Sequence, residues 1–357
     1  MTEDDELAAL KDQCTRFFHG HGKQTAASLL ATIPADTTID MYGKGGVVAD
    51  LEVEICRLLD KPAAAFLPSG TMAQQSVLRV HADARNRRTV VFHPMCHLEQ
   101  HEEQGYQRLH GLIGRPVGGR ERLITLDDLT AIAEDPAALL IELPQRDIGG
   151  QQPAFDDLTA QVAWARDSGA AAHLDGARLW ESAAGYGRPP ADIAALFDTV
   201  YVSFYKGIGA LPGCCVAGPE AIVAQVREWR RRMGGTLHGL WPNAASALGC
   251  LAVRLPKFPA YLAHAKAIAG ALADVAGVTV IPDPPQVPMM HLLLRATKEQ
   301  YAGAARRLAK DQGIWASPHI MPTADPGIQR LELSIGDGTL EFQPTEVAKI
   351  FAGLIAT

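Results

Sequence analysis

Residues 203–209 of the chain read SFYKGIG, and this segment ends a strand of an α/β pattern at a reactive side chain. It closes a β-branched, aromatic run and places Lys206 between that run and two glycines. An ammonium group at the end of a buried strand loses hydration, so its pKa falls and the amine can attack an aldehyde. Upstream, residues 170–178 read AAAHLDGAR, an apolar run that ends in an acid and a base. We expect Asp175 and Lys206 to hold a cationic ring between them.

Composition places the chain among ordinary globular enzymes and binding proteins. It has 357 residues, of which 47% are hydrophobic and 20% charged, so one large domain with a smaller one is expected. The formal net charge of −7 is spread along the chain. A nucleic-acid partner is therefore not expected, because phosphate backbones require a concentrated basic field.

The cysteines and the N-terminal sequence predict a cytoplasmic location. The six cysteines follow no CxxC spacing, and the adjacent pair Cys214 and Cys215 is a poor disulfide, so reduced thiols are expected. The first residues are acidic and lack the apolar core of a signal peptide. We expect no membrane partner, because no apolar run approaches the roughly 18–20 residues that span a bilayer.

Short apolar runs alternate with helical patterns through most of the chain, which predicts an α/β fold with a mostly parallel sheet covered on both faces. Ligands of such sheets bind beyond the carboxyl ends of the strands. After Gly277 the pattern changes to an α+β tail. The predicted division is an N-terminal helical segment (1–39), a large domain (40–256) and a small C-terminal domain (257–357). The residues expected at strand ends are Thr71, His97, Gln145, Asp175 and Lys206.

A turn rich in small hydroxyl residues separates the apolar run at residues 63–67 from the next helical pattern. Free N–H groups at a helix start attract an anion, Gly70 permits a close approach, and Ser69 and Thr71 supply hydroxyls. The alternative is that the hydroxyl residue before the helix only caps it.

His97 and His101 would share one face of a helix. A metal site is one interpretation, with Cys96 or Glu102 as a further ligand, although the HExxH pattern is absent. An exposed polar helix face is the second interpretation, and a ring stacked on a bound ligand is the third. We predict no metal.

Together these features offer what pyridoxal phosphate requires. Lys206 supplies an amine for the aldehyde, Asp175 can keep the ring nitrogen protonated, and His97 can cover the ring. The phosphate would be held by Ser69, Gly70 and Thr71, and by Ser203, which stands in an SxxK arrangement with Lys206. As alternatives, Asp175 could cap the next helix and Lys206 could be a surface residue in a glycine turn.

The same motifs resemble the low-specificity threonine aldolases, which belong to the β-eliminating lyase group of fold type I pyridoxal-phosphate enzymes. The resemblance rests on FLPSGT (66–71), LDGAR (174–178), SFYKGIG (203–209) and His97 with Glu102 and Gly105 downstream. It covers roughly residues 40–335. It implies a large domain with a mostly parallel mixed sheet and a smaller C-terminal α+β domain.

The resemblance also implies an activity: cleavage of a β-hydroxy-α-amino acid to glycine and an aldehyde, in a homodimer or homotetramer with shared active sites. Lys206 matches the Schiff-base lysine, Asp175 the pyridine partner and His97 the stacked histidine. Arg178 and Arg330 match the arginines that hold the substrate carboxylate. A fixed carboxylate decides which Cα bond breaks.

Three positions depart from the family pattern. Gln145 stands where a histidine reaches the substrate hydroxyl, and an amide can hydrogen-bond that group but cannot take its proton. The loop that begins with Tyr42, itself expected to contact substrate, carries Lys44 where the family has an acid. His238 replaces a phosphate-binding arginine.

These departures leave the general base open among His97, His101, which is also a candidate substrate contact, and a water on the phosphate. The leading hypothesis is a pyridoxal-phosphate aldolase. One alternative is β-elimination with the same cofactor, in which the Cα–H bond breaks. Another is a non-catalytic α/β module that binds a phosphate ligand or a metal.

Overall fold

The computed structural model describes residues 3–316 and 320–356, which fall into two compact units. The larger unit is Ala26–Pro256. The smaller unit combines the described residues of 1–25 with those of 257–357. None of the helices in the described ranges is long and apolar enough to cross a membrane.

The elements of the described residues are as follows. The strands are β1 (Arg16–Phe17), β2 (Ala63–Leu67), β3 (Thr89–Phe92), β4 (Ile113–Pro116), β5 (Ala138–Glu142), β6 (Ala171–Gly176), β7 (Thr199–Ser203), β8 (Cys214–Gly218), β9 (Val278–Ile281), β10 (Met289–Arg295), β11 (Ile314–Trp315), β12 (Met321–Pro322) and β13 (Ile328–Ser334). The α-helices are α1 (Glu3–Gln13), α2 (Ala26–Leu30), α3 (Gly46–Leu59), α4 (Gly70–Arg85), α5 (His97–Gln100), α6 (Gly105–Arg108), α7 (Leu126–Thr130), α8 (Phe155–Asp167), α9 (Leu179–Tyr186), α10 (Pro190–Ala194), α11 (Glu220–Arg232), α12 (Trp241–Arg254), α13 (Phe258–Leu272), α14 (Lys298–Gln312) and α15 (Pro344–Ile355).

The larger unit is built on a seven-stranded sheet in the order β2-β8-β7-β6-β5-β3-β4. Strand β8 runs antiparallel to both of its neighbours, and the other pairings are parallel. The sequence prediction of a mostly parallel mixed sheet is therefore confirmed. The register places Glu142 opposite Asp175, near the carboxyl ends of β5 and β6, and Asp175 opposite Tyr201 in the middle of β7. Three polar side chains thus stand next to one another on adjacent strands.

Helices bury their apolar faces against this sheet. In α3 the buried residues include Val48, Leu51, Ile55 and Leu59, which recur at helical spacing. Each such side chain contributes about 1.5–3 kcal/mol when it leaves water. Helix α4 differs, because its buried face also carries glutamine, serine and histidine side chains. Such buried polar groups require hydrogen-bond partners.

The smaller unit contains an antiparallel sheet in the order β12-β13-β10-β9 and a two-stranded parallel pair, β1 with β11. All seven residues of β10 pair with β13. Apolar side chains of β10, such as Met290 and Leu292, are fully buried. The α+β character predicted for the C-terminal part is confirmed.

The N-terminal region differs from its prediction. The segment 1–39 was expected to be helical, but α1 ends at Gln13 and Arg16–Phe17 forms β1. The pairing with β11 buries Phe17, and this tertiary contact outweighs local helix propensity. The segment predicted as 1–39 is consequently divided between the two units after residue 25. Strand β4 was not predicted, because two of its four residues are glycine and proline, which are poor strand formers.

Candidate active site

A cavity of about 190 Å³ opens in the larger unit where strands β2, β6 and β7 end. It brings together residues that lie far apart in the sequence. Its lining consists of Pro68, Ser69, Gly70, Thr71, Gln74, His97, Glu102, Asp175, Tyr201, Tyr205, Lys206 and Pro212. Six of the residues predicted from the sequence, from Ser69 to Lys206, are in this lining.

Lys206 is half-buried in the wall of this cavity. Burial lowers the pKa of its amine, and the positive charge of Arg178 lowers that pKa further. The carboxylates of Asp175 and Glu142 act in the opposite direction. A lowered pKa increases the fraction of neutral amine, which is the form that attacks an aldehyde. Lys206 is thus not the surface lysine of the alternative interpretation.

Asp175 is 2% exposed, and burial raises the pKa of its carboxyl, while the charges of Lys206 and His97 oppose that rise. One carboxylate oxygen accepts a hydrogen bond from the backbone N–H of Ala177 at 3.1 Å. Next to it, Glu142 accepts from the N–H groups of His97 and Arg146 at 2.9 and 3.1 Å. Burial and the charge of Asp175 raise the pKa of Glu142 to about 7. Two adjacent buried carboxyls favour a cationic partner between them and Lys206.

His97 begins helix α5 and reaches the cavity. Its Nδ1 lies 3.0 Å from Oε1 of Glu102, whose side chain is 1% exposed. The other oxygen of Glu102 accepts from Nε2 of Gln75 at 3.2 Å. With Nδ1–H donated to a carboxylate, Nε2 of His97 is left as the acceptor. The histidine is therefore held in one orientation and one tautomer.

The start of helix α4 forms the other end of the cavity. Ser69 is the residue before the helix, yet its side chain makes no capping hydrogen bond within the described residues. Its hydroxyl and that of Thr71 are thus available to a ligand, together with free backbone N–H groups. A Cβ on Gly70 would meet the hydroxyl of Tyr201, so only glycine allows this approach. The capping alternative is not supported by this geometry.

Buried polar atoms at this end fit an anionic group. Nε2 of Gln74 is buried and makes no hydrogen bond within the described residues. Ser203 is not in the lining, but its hydroxyl is within hydrogen-bonding reach of Tyr201 and Tyr205, which are. A buried donor without a partner costs about 1–3 kcal/mol. A phosphate at this end of the cavity would accept a hydrogen bond from the Gln74 amide, so the residues present fit pyridoxal phosphate.

Comparison with known families agrees with this arrangement. The model of the beta-eliminating lyase family matches residues 22–296. The chain belongs to the beta-eliminating lyase family. This membership was predicted from the sequence and is confirmed.

Relatives and solved structures give the same result. "Low-specificity L-threonine aldolase 1" of Arabidopsis thaliana is 26% identical over 302 residues, which is 82% of this chain and 84% of the relative. A structure from Listeria monocytogenes, described as an L-allo-threonine aldolase, is 34% identical with a TM-score of 0.92. Another from Exiguobacterium sp., described as an aromatic amino acid beta-eliminating lyase/threonine aldolase, is 36% identical with a TM-score of 0.91. Both similarities cover 98% of each chain, which confirms the fold type I architecture.

His101, a candidate base and substrate contact in this lyase, lies outside the lining of the active-site cavity. Helix α5 ends at Gln100, and the Nε2 of His101 lies 2.8 Å from Oδ2 of Asp147. The rings of His101 and His97 are 5.1 Å apart, but His101 is not in the cavity lining. Among the described residues, no group of three or more His, Cys, Asp or Glu side chains could hold a metal ion.

The predicted substrate contacts are distributed over both units of the lyase. Gln145 is 3% exposed and donates to the carbonyl of Met95 and to Glu142, outside the cavity lining. Arg178 precedes helix α9 and lies close enough to influence the pKa of Lys206. Arg330 lies on β13 of the smaller unit. The substrate roles of these three residues stay predictions.

The loop with Tyr42 lines a second, larger cavity of about 810 Å³ in the larger unit. The backbone N–H of Tyr42 donates to the carbonyl of His238 at 2.9 Å, and the side-chain rings of the two residues meet edge to face. Lys44 and the exposed Arg231 line the same cavity. The two positions that depart from the family pattern in charge, Lys44 and His238, are thus part of one structural neighbourhood.

Sequence reasoning missed several side chains of the active-site cavity. Tyr201, Ser203 and Tyr205 stand two residues apart, and strand alternation predicts that they share one side of the sheet. That signal could have identified both tyrosines. Gln74 stands one turn into α4 and could have been suspected as a buried polar residue at the start of a helix. Its hydrogen-bond partners become visible only in the folded chain.

Proposed function

We propose that this lyase uses pyridoxal phosphate to cleave a β-hydroxy-α-amino acid into glycine and an aldehyde. The observation that carries the proposal is the cavity in which the amine of Lys206, the carboxylate of Asp175 and the start of helix α4 face one another. The names of the Arabidopsis thaliana and Listeria monocytogenes proteins, both threonine aldolases, support this reaction type.

Each part of the cofactor has a matching group in the cavity. Lys206 would provide the amine for the aldehyde group of the cofactor, and Asp175 would keep the ring nitrogen protonated. His97 would cover the ring face. Ser69 and Thr71, with Ser203 and the N–H groups of α4, would hold the phosphate. When bound, the cofactor supplies an electron sink for the electron pair released at the substrate Cα.

The substrate is oriented through its carboxylate, for which Arg178 and Arg330 are the proposed partners. Guanidinium groups bind a carboxylate bidentately and fix its plane. That orientation decides whether the Cα–Cβ or the Cα–H bond is aligned for cleavage. The reaction then requires a base that takes the proton of the β-hydroxyl. The Cα–Cβ bond breaks, the aldehyde departs, and Cα takes up a proton to give glycine.

His97 is the best-placed base in the described structure. Its Nδ1 is occupied by Glu102, so the free acceptor is Nε2. His101, the other histidine considered, is paired with Asp147 instead. The amide of Gln145 is engaged with Glu142 and a backbone carbonyl. We therefore assign the proton transfer from the hydroxyl to Nε2 of His97.

We also propose a cytoplasmic homodimer or homotetramer with shared active sites. The support is the exposed loop of the larger unit, where Met41 and Tyr42 are 64% and 52% exposed. Large apolar side chains at such exposure favour a subunit contact. Mixing inactive Lys206→Ala and Tyr42→Ala proteins, with reassembly, should restore activity if Tyr42 serves a neighbour's site. Continued inactivity of the mixture, with both variants folded, would contradict shared sites.

The reaction is tested by incubating the holoenzyme with threonine, allo-threonine and phenylserine. Glycine and the matching aldehyde are the expected products, and Lys206→Ala should yield neither. Ammonia with a keto acid would instead identify β-elimination. Absence of glycine from every substrate would contradict the aldolase. If the purified protein gains no absorbance band with pyridoxal phosphate, the cofactor assignment is wrong, and a non-catalytic binding module becomes the better interpretation.

A further inference from the structure

A row of hydrogen bonds runs through the core of the larger unit and ends at the cavity. Oε1 of Gln74 is 2.6 Å from Nε2 of His173, whose Nδ1 is 2.8 Å from Oγ1 of Thr199. The same hydroxyl is 2.8 Å from Nε2 of His81. All four residues are at most 1% exposed. Side chains from α4, β6 and β7 are thereby linked by direct hydrogen bonds.

The chemistry of the groups gives this row a direction. Nη1 of Arg85 lies 3.5 Å from Nδ1 of His81, and a guanidinium can only donate, so Nδ1 accepts. Burial lowers the pKa of both His81 and His173 to about 3, so both are neutral at neutral pH. His81 then donates from Nε2 to Thr199, and Thr199 donates its one hydroxyl hydrogen to His173. The remaining N–H of His173 must donate to Gln74.

The direction fixes how the Gln74 amide is turned. Its oxygen is occupied by His173, so its NH2 group cannot exchange places with the oxygen without losing that hydrogen bond. Gln74 lines the cavity, and its Nε2 is buried and has no hydrogen-bond partner within the described residues. The same end of the cavity is formed by Ser69, Gly70 and Thr71 at the start of the 16-residue helix α4.

We infer that Gln74 donates to the phosphate group of the cofactor, and that His173, Thr199 and His81 are positioning residues that hold its amide in the donating orientation. This inference rests on the proposed function, because it takes the cofactor to be pyridoxal phosphate. It assigns a role to two histidines and a threonine that do not line the cavity. A buried donor that meets an acceptor only when the ligand binds favours the phosphorylated ligand over its unphosphorylated form.

The test compares pyridoxal phosphate with pyridoxal, which lacks the phosphate. The apoprotein is titrated with each compound, and the two Kd values are read from the absorbance of the bound form. Gln74→Met removes the donor at similar volume and should weaken binding of pyridoxal phosphate about tenfold, while pyridoxal binding changes less than about twofold. Gln74→Glu keeps an acceptor for His173 but places a negative charge near the phosphate, so its loss should be larger and again confined to the phosphorylated compound.

The positioning role is tested at Thr199. Thr199→Val interrupts the row and should weaken binding of pyridoxal phosphate by about threefold to tenfold, whereas Thr199→Ser keeps the hydroxyl and should bind like wild type. Gln161→Met is the matched control, because Gln161 is likewise a buried glutamine, 3% exposed, but donates to the carbonyl of Ile124. It should leave the ratio of the two Kd values unchanged. If Thr199→Val does not fold, the two Gln74 variants decide the question.

The outcomes separate this inference from the proposed function. Equal losses for pyridoxal phosphate and pyridoxal in the Gln74 variants would mean a merely structural role and would overturn the inference alone. Wild-type binding of pyridoxal phosphate by Gln74→Met would also overturn it. A wild-type protein that binds neither compound would overturn the proposed function, and the inference with it.

Discussion

Nδ1 of His97 lies 3.0 Å from Oε1 of Glu102, and the Glu102 side chain is almost completely buried. The carboxylate is itself fixed by the amide of Gln75. A buried acceptor of this kind sets both the direction of the imidazole ring and the position of its proton. The reactivity of His97 therefore depends on Glu102, a residue five positions away that lines the same cavity.

Glu102→Ala should lower kcat by about 10- to 100-fold, because the His97 ring loses its fixed orientation. Glu102→Gln should retain most of the activity, since a glutamine oxygen can still accept from Nδ1–H. The measurement is steady-state aldehyde release by both variants, with the cofactor content determined by absorbance. Unchanged kcat in Glu102→Ala would show that the orientation of His97 does not matter.

Glu181→Gln should change how stability depends on pH. Glu181 is buried beside Lys206, and burial raises its pKa from 4.5 to about 7. Between these values the folded chain binds more protons at this group than the unfolded chain, so wild-type stability falls as pH rises through this window. The variant lacks this loss, and its stability relative to wild type should increase by about 1–3 kcal/mol from pH 5 to pH 8.

Urea unfolding at both pH values measures this difference. The exposed Glu121→Gln serves as the control for removal of one carboxylate. A difference between wild type and Glu181→Gln that is the same at pH 5 and pH 8 would refute the prediction.

Gly207→Ala should destabilise the fold by about 1–3 kcal/mol, because a Cβ at this position would meet the buried carboxylate of Glu181. Gly270→Ala is the matched control. A Cβ there meets no described atom within 4 Å, and the helix should gain up to about 1 kcal/mol. Thermal unfolding of both variants tests the contrast. Equal melting temperatures for the two would contradict a close approach at Gly207.

Arg178→Gln should raise the pKa of Lys206, because the charge of Arg178 is among the causes of its depression. Only the neutral amine reacts with an aldehyde. The rate at which the apoprotein takes up pyridoxal phosphate should therefore reach half its plateau at a higher pH than in wild type. The exposed Arg120→Gln controls for net charge. A midpoint that stays in place or falls would exclude this electrostatic role.

The parts of the site that were predictable from sequence are those set by strand ends. Lys206, Asp175 and Thr71 each follow an apolar run, and the carboxyl ends of such strands share one edge of a sheet. Helix α4, which begins at Gly70, then adds the anion-binding end. The local hydrophobic pattern was sufficient to predict where these strands end. The general geometry of parallel sheets then predicts that the ends lie together.

The contacts that set orientation were not predictable in this way. Gln145 stands where the family has a substrate-binding histidine, and the partners of its amide, Glu142 and the Met95 carbonyl, are set by the fold. Gln74 belongs to no motif that would single it out, although it connects a buried histidine to the cavity. Both outcomes depend on partners 50 and 99 residues away in the sequence. No local pattern encodes such a distance.

The register that aligns Glu142, Asp175 and Tyr201 across three strands has a consequence for redesign of this enzyme. A slip of one residue in any of these strands would turn its polar side chain to the opposite face and expose buried apolar neighbours. The positions of these three polar side chains are therefore stabilised by the same apolar packing that stabilises the core. The loops that carry Lys44 and His238 lie outside these strands, so their side chains can be exchanged in a search for new substrates while the strand register is left intact.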